Sequence, residues 1–115
     1  MGALTTHVLD TTRGGPAAGL RVELWRLGDD VAAAPLADFV TNDDGRAHGP
    51  LCEGEAFIAG SYELIFHVGA YFADSGATRV FLDRVPVRFT VDRPDEHYHV
   101  PLLVSPFAYS SYRGS

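Results

Sequence analysis

The chain contains no lysine: all nine of its basic residues are arginine. That excludes a lysine Schiff base or a lysine nucleophile. It has one cysteine, Cys52, so no intrachain disulfide can form and the fold must be held by its core. A lone cysteine is most often a small packing residue, and Cys52 is read that way rather than as a nucleophile. Positive charge is in short supply, nine basic against 15 acidic residues for a net charge of −6. This argues against nucleic acid or an anionic membrane as partner. No apolar run approaches the roughly 18 residues of a membrane helix. The N-terminal residues 1–7 lack a basic region followed by an apolar stretch, so no secretory signal is read and the expected location is the cytoplasm. No serine sits in a Gly-x-Ser-x-Gly elbow, which leaves a serine hydrolase unsupported.

What is present is alternation. Residues 4–10, 20–27, 36–41, 61–68, 85–91 and 97–104 read as strands, with a last short one over 108–112 and at most an edge strand near 56–59. In 20–27, Leu20, Val22 and Leu24 share one face. In 61–68, Tyr62, Leu64, Phe66 and Val68 do. In 85–91, Val85, Val87, Phe89 and Val91 do. The segments are punctuated by turn formers, most clearly Asn42-Asp43-Asp44-Gly45. Only residues 70–75, bounded by Gly69 and Gly76, lack alternation and predict a helix of one to two turns. A chain of 115 residues with this pattern predicts one all-β domain over residues 1–115, an antiparallel β-sandwich.

The same alternation sorts the histidines. In the last long strand His97, His99, Pro101 and Leu103 share one face, and Tyr98, Val100 and Leu102 the other. The Val/Leu face is the better core, so His99 faces outward. In the first strand Val8 points inward while His7 and Leu9 face out. Should these two strands be neighbours, His7 and His99 approach each other on one surface. Both strands are also apolar on the outer face, which calls for a second copy of the chain or for cover by the loop 50–60. Two imidazoles near an arginine suit metal-free hydrolysis. A neutral histidine can act as general base on water, and a guanidinium can hold an anionic oxygen with two hydrogen bonds. An open zinc site on His7, His97 and His99 is the competing chemistry. His48 and His67 are read as structural or solvated, and Arg46 on pattern alone is an ordinary residue after a turn. The tail 97–115 carries Phe107, Tyr109 and Tyr112, so it is expected to be packed, with the Ser115 carboxylate close to Arg113.

The tail Tyr109-Ser110-Ser111-Tyr112-Arg113-Gly114-Ser115, the strand His97-Tyr98-His99-Val100-Pro101-Leu102-Leu103, the stretch His7-Val8-Leu9-Asp10 and the turn Thr41-Asn42-Asp43-Asp44-Gly45-Arg46 resemble the 5-hydroxyisourate hydrolases of the transthyretin-like family. The resemblance runs the length of the chain. The Tyr-Arg-Gly-Ser ending is its most specific part, because transthyretin, the hormone carrier, lacks it and these histidines. The resemblance implies a transthyretin-like sandwich of two four-stranded sheets with a short helix at 70–75. It implies a homotetramer, a dimer of dimers, with sites where dimers meet. It implies hydrolysis of a cyclic amide bond in 5-hydroxyisourate, with no cofactor and no metal. By position, His7, Arg46, His99 and Ser115 are the implied catalytic residues. His7, Arg46, Tyr112 and Arg113 are the implied substrate contacts, and His97 is a supporting residue. His99 is assigned as base or water orienter with His7 assisting, and Arg46 holds the developing anion. Ser111 stands where many members carry threonine, and the segment 81–84 lacks an expected proline. The alternative function is a small-ligand carrier without catalysis.

Overall fold

The structure, a computed structural model, describes residues 2–28 and 34–114. Its strands are β1 (Ala3–Asp10), β2 (Gly15–Pro16), β3 (Arg21–Leu27), β4 (Ala37–Val40), β5 (Cys52–Glu53), β6 (Gly60–Phe66), β7 (Val85–Val91), β8 (His97–Val104) and β9 (Tyr109–Ser111). One helix, α1 (Val68–Asp74), lies between β6 and β7. The strands form two sheets. One runs β4-β3-β6-β7. The other runs β2-β1-β8-β9, with β5 paired to the same edge of β1 as β2. That second sheet therefore has five strands in four rows, because β2 meets the end of β1 at Leu9 and β5 meets its start at Ala3.

Every pair is antiparallel except β1 with β8, which is parallel over its full length, from Ala3 opposite His97 to Asp10 opposite Val104. Short hairpin connections impose antiparallel pairing. The chain between β1 and β8 instead passes through the whole of the other sheet, so no turn dictates their relative direction.

The core lies between the sheets. Leu4 and Val8 of β1 and Val100, Leu102 and Val104 of β8 form one cluster with Val22 and Leu24 of β3, Tyr62, Leu64 and Phe66 of β6, and Val85 and Val91 of β7. All are buried, as the alternation predicts. Burying one such side chain is worth about 1.5–3 kcal/mol, and this packing does the work a disulfide would otherwise share. Cys52 is half-buried against the core, and burial pushes its thiol up, away from the nucleophilic thiolate.

Two segments differ from expectation. The helix starts at Val68, two residues early, and Gly69 lies inside it rather than bounding it. The glycine is there for close approach: a Cβ at that position would stand 3.0 Å from the Leu82 carbonyl oxygen. In the 50–60 loop the strand is Cys52–Glu53, followed by a 3₁₀ turn at Gly54–Ala56, instead of an edge strand near 56–59. Phe57 then turns into the core against the rings of Tyr62 and Tyr98. The aromatic residue of this loop thus fills the sandwich interior, not the outer face that carries the histidines.

Asp10 ties the helix to the sheet. Its carboxylate accepts bonds from Thr12 Oγ1 at 2.5 Å, the Thr12 amide at 3.0 Å and the Tyr71 hydroxyl at 2.7 Å. Burial alone would push its pKa up, but these donors hold it below the ordinary carboxylate value. Among the described residues no helix is long and apolar enough to cross a membrane.

Candidate active site

The parallel register of β1 and β8 puts two like-facing rows side by side. Ala3, Thr5, His7 and Leu9 adjoin His97, His99, Pro101 and Leu103, with Thr5 directly opposite His99 and His7 opposite Pro101. His7 and His99 thus lie diagonally on one outer surface, each half-buried.

Arg46 reaches this surface through a turn built for the purpose. Asn42 Oδ1 accepts the backbone N–H groups of Asp44 at 2.9 Å and Arg46 at 3.1 Å. The Asn42 amide bonds the Arg46 carbonyl at 2.8 Å, and the Val8 amide bonds the Gly45 carbonyl at 2.8 Å. The last bond fastens the turn to β1 beside His7. Gly45 has φ 75°, a left-handed conformation that favours glycine. A Cβ there would lie 2.4 Å from the Val8 carbonyl oxygen. Gly45→Ala is therefore expected to cost at least about 1–2 kcal/mol of backbone strain and to shift the turn, lowering both melting temperature and turnover. Thermal unfolding and kinetics at wild-type level in this variant would refute that account of the turn.

The electrostatics are those of a base site. Burial first, and then the Arg46 guanidinium, push the His7 pKa below its ordinary value, while the Asp44 backbone and carboxylate pull the other way. Burial again leads for His99, followed by the charges of Arg46, His7 and His97, all lowering. Both imidazoles are thereby favoured as neutral bases at neutral pH.

Thr5 is the residue that sequence reasoning missed. Its Oγ1 lies 2.9 Å from His97 Nε2 and 2.8 Å from His99 Nδ1. Alternation does place Thr5 in the row of His7, but only the parallel register sets it opposite His99. The two histidines of His97-Tyr98-His99, candidates for a zinc pair, have ring centroids 6.4 Å apart and turn to this shared hydroxyl. Among the described residues no three His, Cys, Asp or Glu side chains converge as a metal set. The charged group beside these histidines is the Arg46 cation, which would repel a divalent ion.

The tail closes over His99 by its backbone. The Gly114 amide donates to the His99 carbonyl at 2.7 Å, and a Cβ at Gly114 would stand 2.8 Å from His99 Cδ2. Only glycine lets the tail lie so close to the imidazole. Arg113 turns away from that face: its guanidinium bonds Glu96 Oε1 at 3.0 Å and the His97 carbonyl at 3.2 Å, 4.1 Å from the Tyr98 ring centroid. In the single chain these contacts anchor the tail. Tyr112 lines a groove of about 240 Å³ with Val87, Phe89, Tyr98 and Val100, apart from Arg46. Contrary to the expectation of a packed tail, Phe107, Tyr109 and Tyr112 are exposed in the single chain, while the backbone of the tail and the side chains of Ser111 and Arg113 bond to β8. Ser115 lies outside the described residues.

The other histidines stand apart. His67 Nε2 pairs with Glu23 Oε2 on the far sheet, and Trp25 Nε1 donates to Glu23 Oε1 at 3.2 Å. That is a structural contact, and it lowers the Glu23 pKa. His48 follows the Arg46 turn and is exposed.

The sequence model of the HIUase/Transthyretin family matches residues 4–114. The chain belongs to that family. It is 53% identical to 5-hydroxyisourate hydrolase 2 of Rhizobium meliloti, over 99% of this chain and 97% of that protein. Among solved structures, the crystal structure of (S)-allantoin synthase superposes with a TM-score of 0.91 at 51% identity; the match covers 99% of this chain but only 44% of that one. Klebsiella pneumoniae 5-hydroxyisourate hydrolase matches over 100% of both chains, at 37% identity and a TM-score of 0.83. Within the family, the face bearing His7, His99 and Arg46 becomes the place to look for chemistry.

Proposed function

We propose that this chain hydrolyses 5-hydroxyisourate at a cyclic amide bond, giving 2-oxo-4-hydroxy-4-carboxy-5-ureidoimidazoline, without metal or other cofactor. The observation that carries the reading is the meeting of His7, His99 and Arg46 on the outer face of β1 and β8, with both imidazoles biased to the neutral form. The names of the relatives above point to the same substrate.

In this reading His99 takes a proton from water as the water attacks the carbonyl carbon, and His7 assists. The oxyanion that develops is held by Arg46. Collapse of the tetrahedral species breaks the carbon–nitrogen bond, the ring nitrogen takes the proton, and the new acid ionises to a carboxylate. The tail, with Ser115 at its end, closes the site.

The proposed assembly is a homotetramer with its sites where dimers meet. Among the described residues no strand pairs with the outer edges of β7 and β9, the tail aromatics are exposed, and Leu9 and Leu103 are half-buried on the histidine face. A second protomer would cover these groups and could bring Tyr112 to a neighbouring site. The proposed compartment is the cytoplasm, which cell fractionation reads.

The test is spectroscopic. 5-Hydroxyisourate is generated from urate with urate oxidase, and its ultraviolet decay is followed with and without the protein in the presence of EDTA. Faster decay that EDTA leaves unchanged is expected, from a species that sediments as a tetramer. No acceleration by well-folded protein would overturn the hydrolase reading in favour of a carrier, and inactivation by EDTA with recovery on Zn²⁺ would overturn the metal-free mechanism.

A further inference from the structure

The hydroxyl of Thr5 sits between two imidazoles and has one proton to give. It can donate to His99 Nδ1 or to His97 Nε2, but not to both. If it donates to His99, the neutral imidazole carries its proton on Nε2 and has no lone pair free for water. If it donates to His97, its oxygen accepts from His99 Nδ1–H, and His99 Nε2 is left as a base. Once Nε2 has taken a proton, His99 must donate at Nδ1. Only the second orientation serves both protonation states of His99 without rotating the hydroxyl.

We infer that Thr5 is a positioning residue, held by His97, that fixes His99 as the Nδ1–H tautomer and presents Nε2 to water. The inference rests on the reading of His99 as the general base. It also explains His97, which becomes the acceptor that orients the Thr5 hydroxyl. The surroundings suit this division. His97 is exposed, so water can satisfy its other nitrogen, while His99 is half-buried with Gly114 packed against its ring. Which nitrogen of a histidine carries the proton is set by the partner of the other nitrogen, and the partner here is a hydroxyl whose own direction is set by a second histidine.

The test uses Thr5→Val, which keeps the shape and β-branching of the side chain, and Thr5→Ser, which keeps the hydroxyl. Imidazole ¹⁵N shifts of the histidine-labelled full chain report the His99 tautomer without any substrate. The expected result is the Nδ1–H form in the wild type and in Thr5→Ser, lost in Thr5→Val and also in His97→Phe, where the acceptor is gone. Thr5→Val should lower kcat by roughly tenfold to a hundredfold with KM unchanged, a part of the roughly 10²–10⁴ that a positioned base supplies. Thr5→Ser should restore it. An Nε2–H tautomer in the wild type would overturn the inference. So would a Thr5→Val protein that keeps both the Nδ1–H form and its kcat. Failure of the wild type to hydrolyse 5-hydroxyisourate would sink the hydrolase reading alone, because the tautomer measurement still decides whether Thr5 holds His99.

Discussion

His99→Asn is expected to lower kcat on 5-hydroxyisourate by about 10²–10⁴, the range a positioned general base contributes, while the sandwich stays folded. The side chain lies on the outer face of β8, and the core-facing neighbours Tyr98, Val100 and Leu102 are untouched. Asparagine retains a polar group near Thr5 Oγ1 but cannot accept the proton from water. The loss should therefore appear in kcat more than in KM. Circular dichroism and sedimentation check that fold and assembly persist. Full turnover by a folded His99→Asn protein would remove His99 from the chemistry and leave His7 as the base.

Arg46→Ala is expected to show two effects together. Loss of the group that holds the oxyanion should cost about 10²–10³ in kcat, as for removal of one oxyanion donor. The second effect is on pH dependence. The Arg46 charge lowers the pKa of both His7 and His99. Removing it lets both rise, so each imidazole stays protonated to a higher pH, and the acid limb of kcat/KM should move to higher pH. Arg46→Lys separates the two effects. The charge remains, so the acid limb stays near its wild-type place, but the planar two-pronged donor is gone and kcat still falls. An Arg46→Ala protein with an unmoved acid limb would show that the guanidinium does not stand close enough to the histidines to tune them.

The outer face of β1 and β8 was legible because alternation is a local property. Val8 and Val100 are apolar enough to claim the core, and that choice alone turns His7 and His99 outward. Arg46 was legible as a residue after a turn, and its role followed from resemblance. The structure adds the reason it reaches the histidines: the bond from the Val8 amide to the Gly45 carbonyl, between residues far apart in the chain. Arg113 shows the opposite case. Its guanidinium is held in the single chain by Glu96 and the Tyr98 ring. Nothing in the spacing of residues 109–115 reveals those contacts. The helix boundary failed for a similar reason: Gly69 resembles a stop signal, but its glycine answers a contact with Leu82.

Residue order alone establishes the all-β class, the inward and outward rows of each long strand, the absence of disulfide and lysine chemistry, and through the tail and histidine motifs the family. These rest on side-chain period and composition, which act within a few residues. Folding in three dimensions adds that β1 and β8 run parallel, that Thr5 therefore faces His99 and joins it to His97, and that Gly114 lies against the His99 ring. The Thr5 contacts span more than ninety residues of chain. At that separation, register is chosen by the packing of the whole core rather than by any local preference.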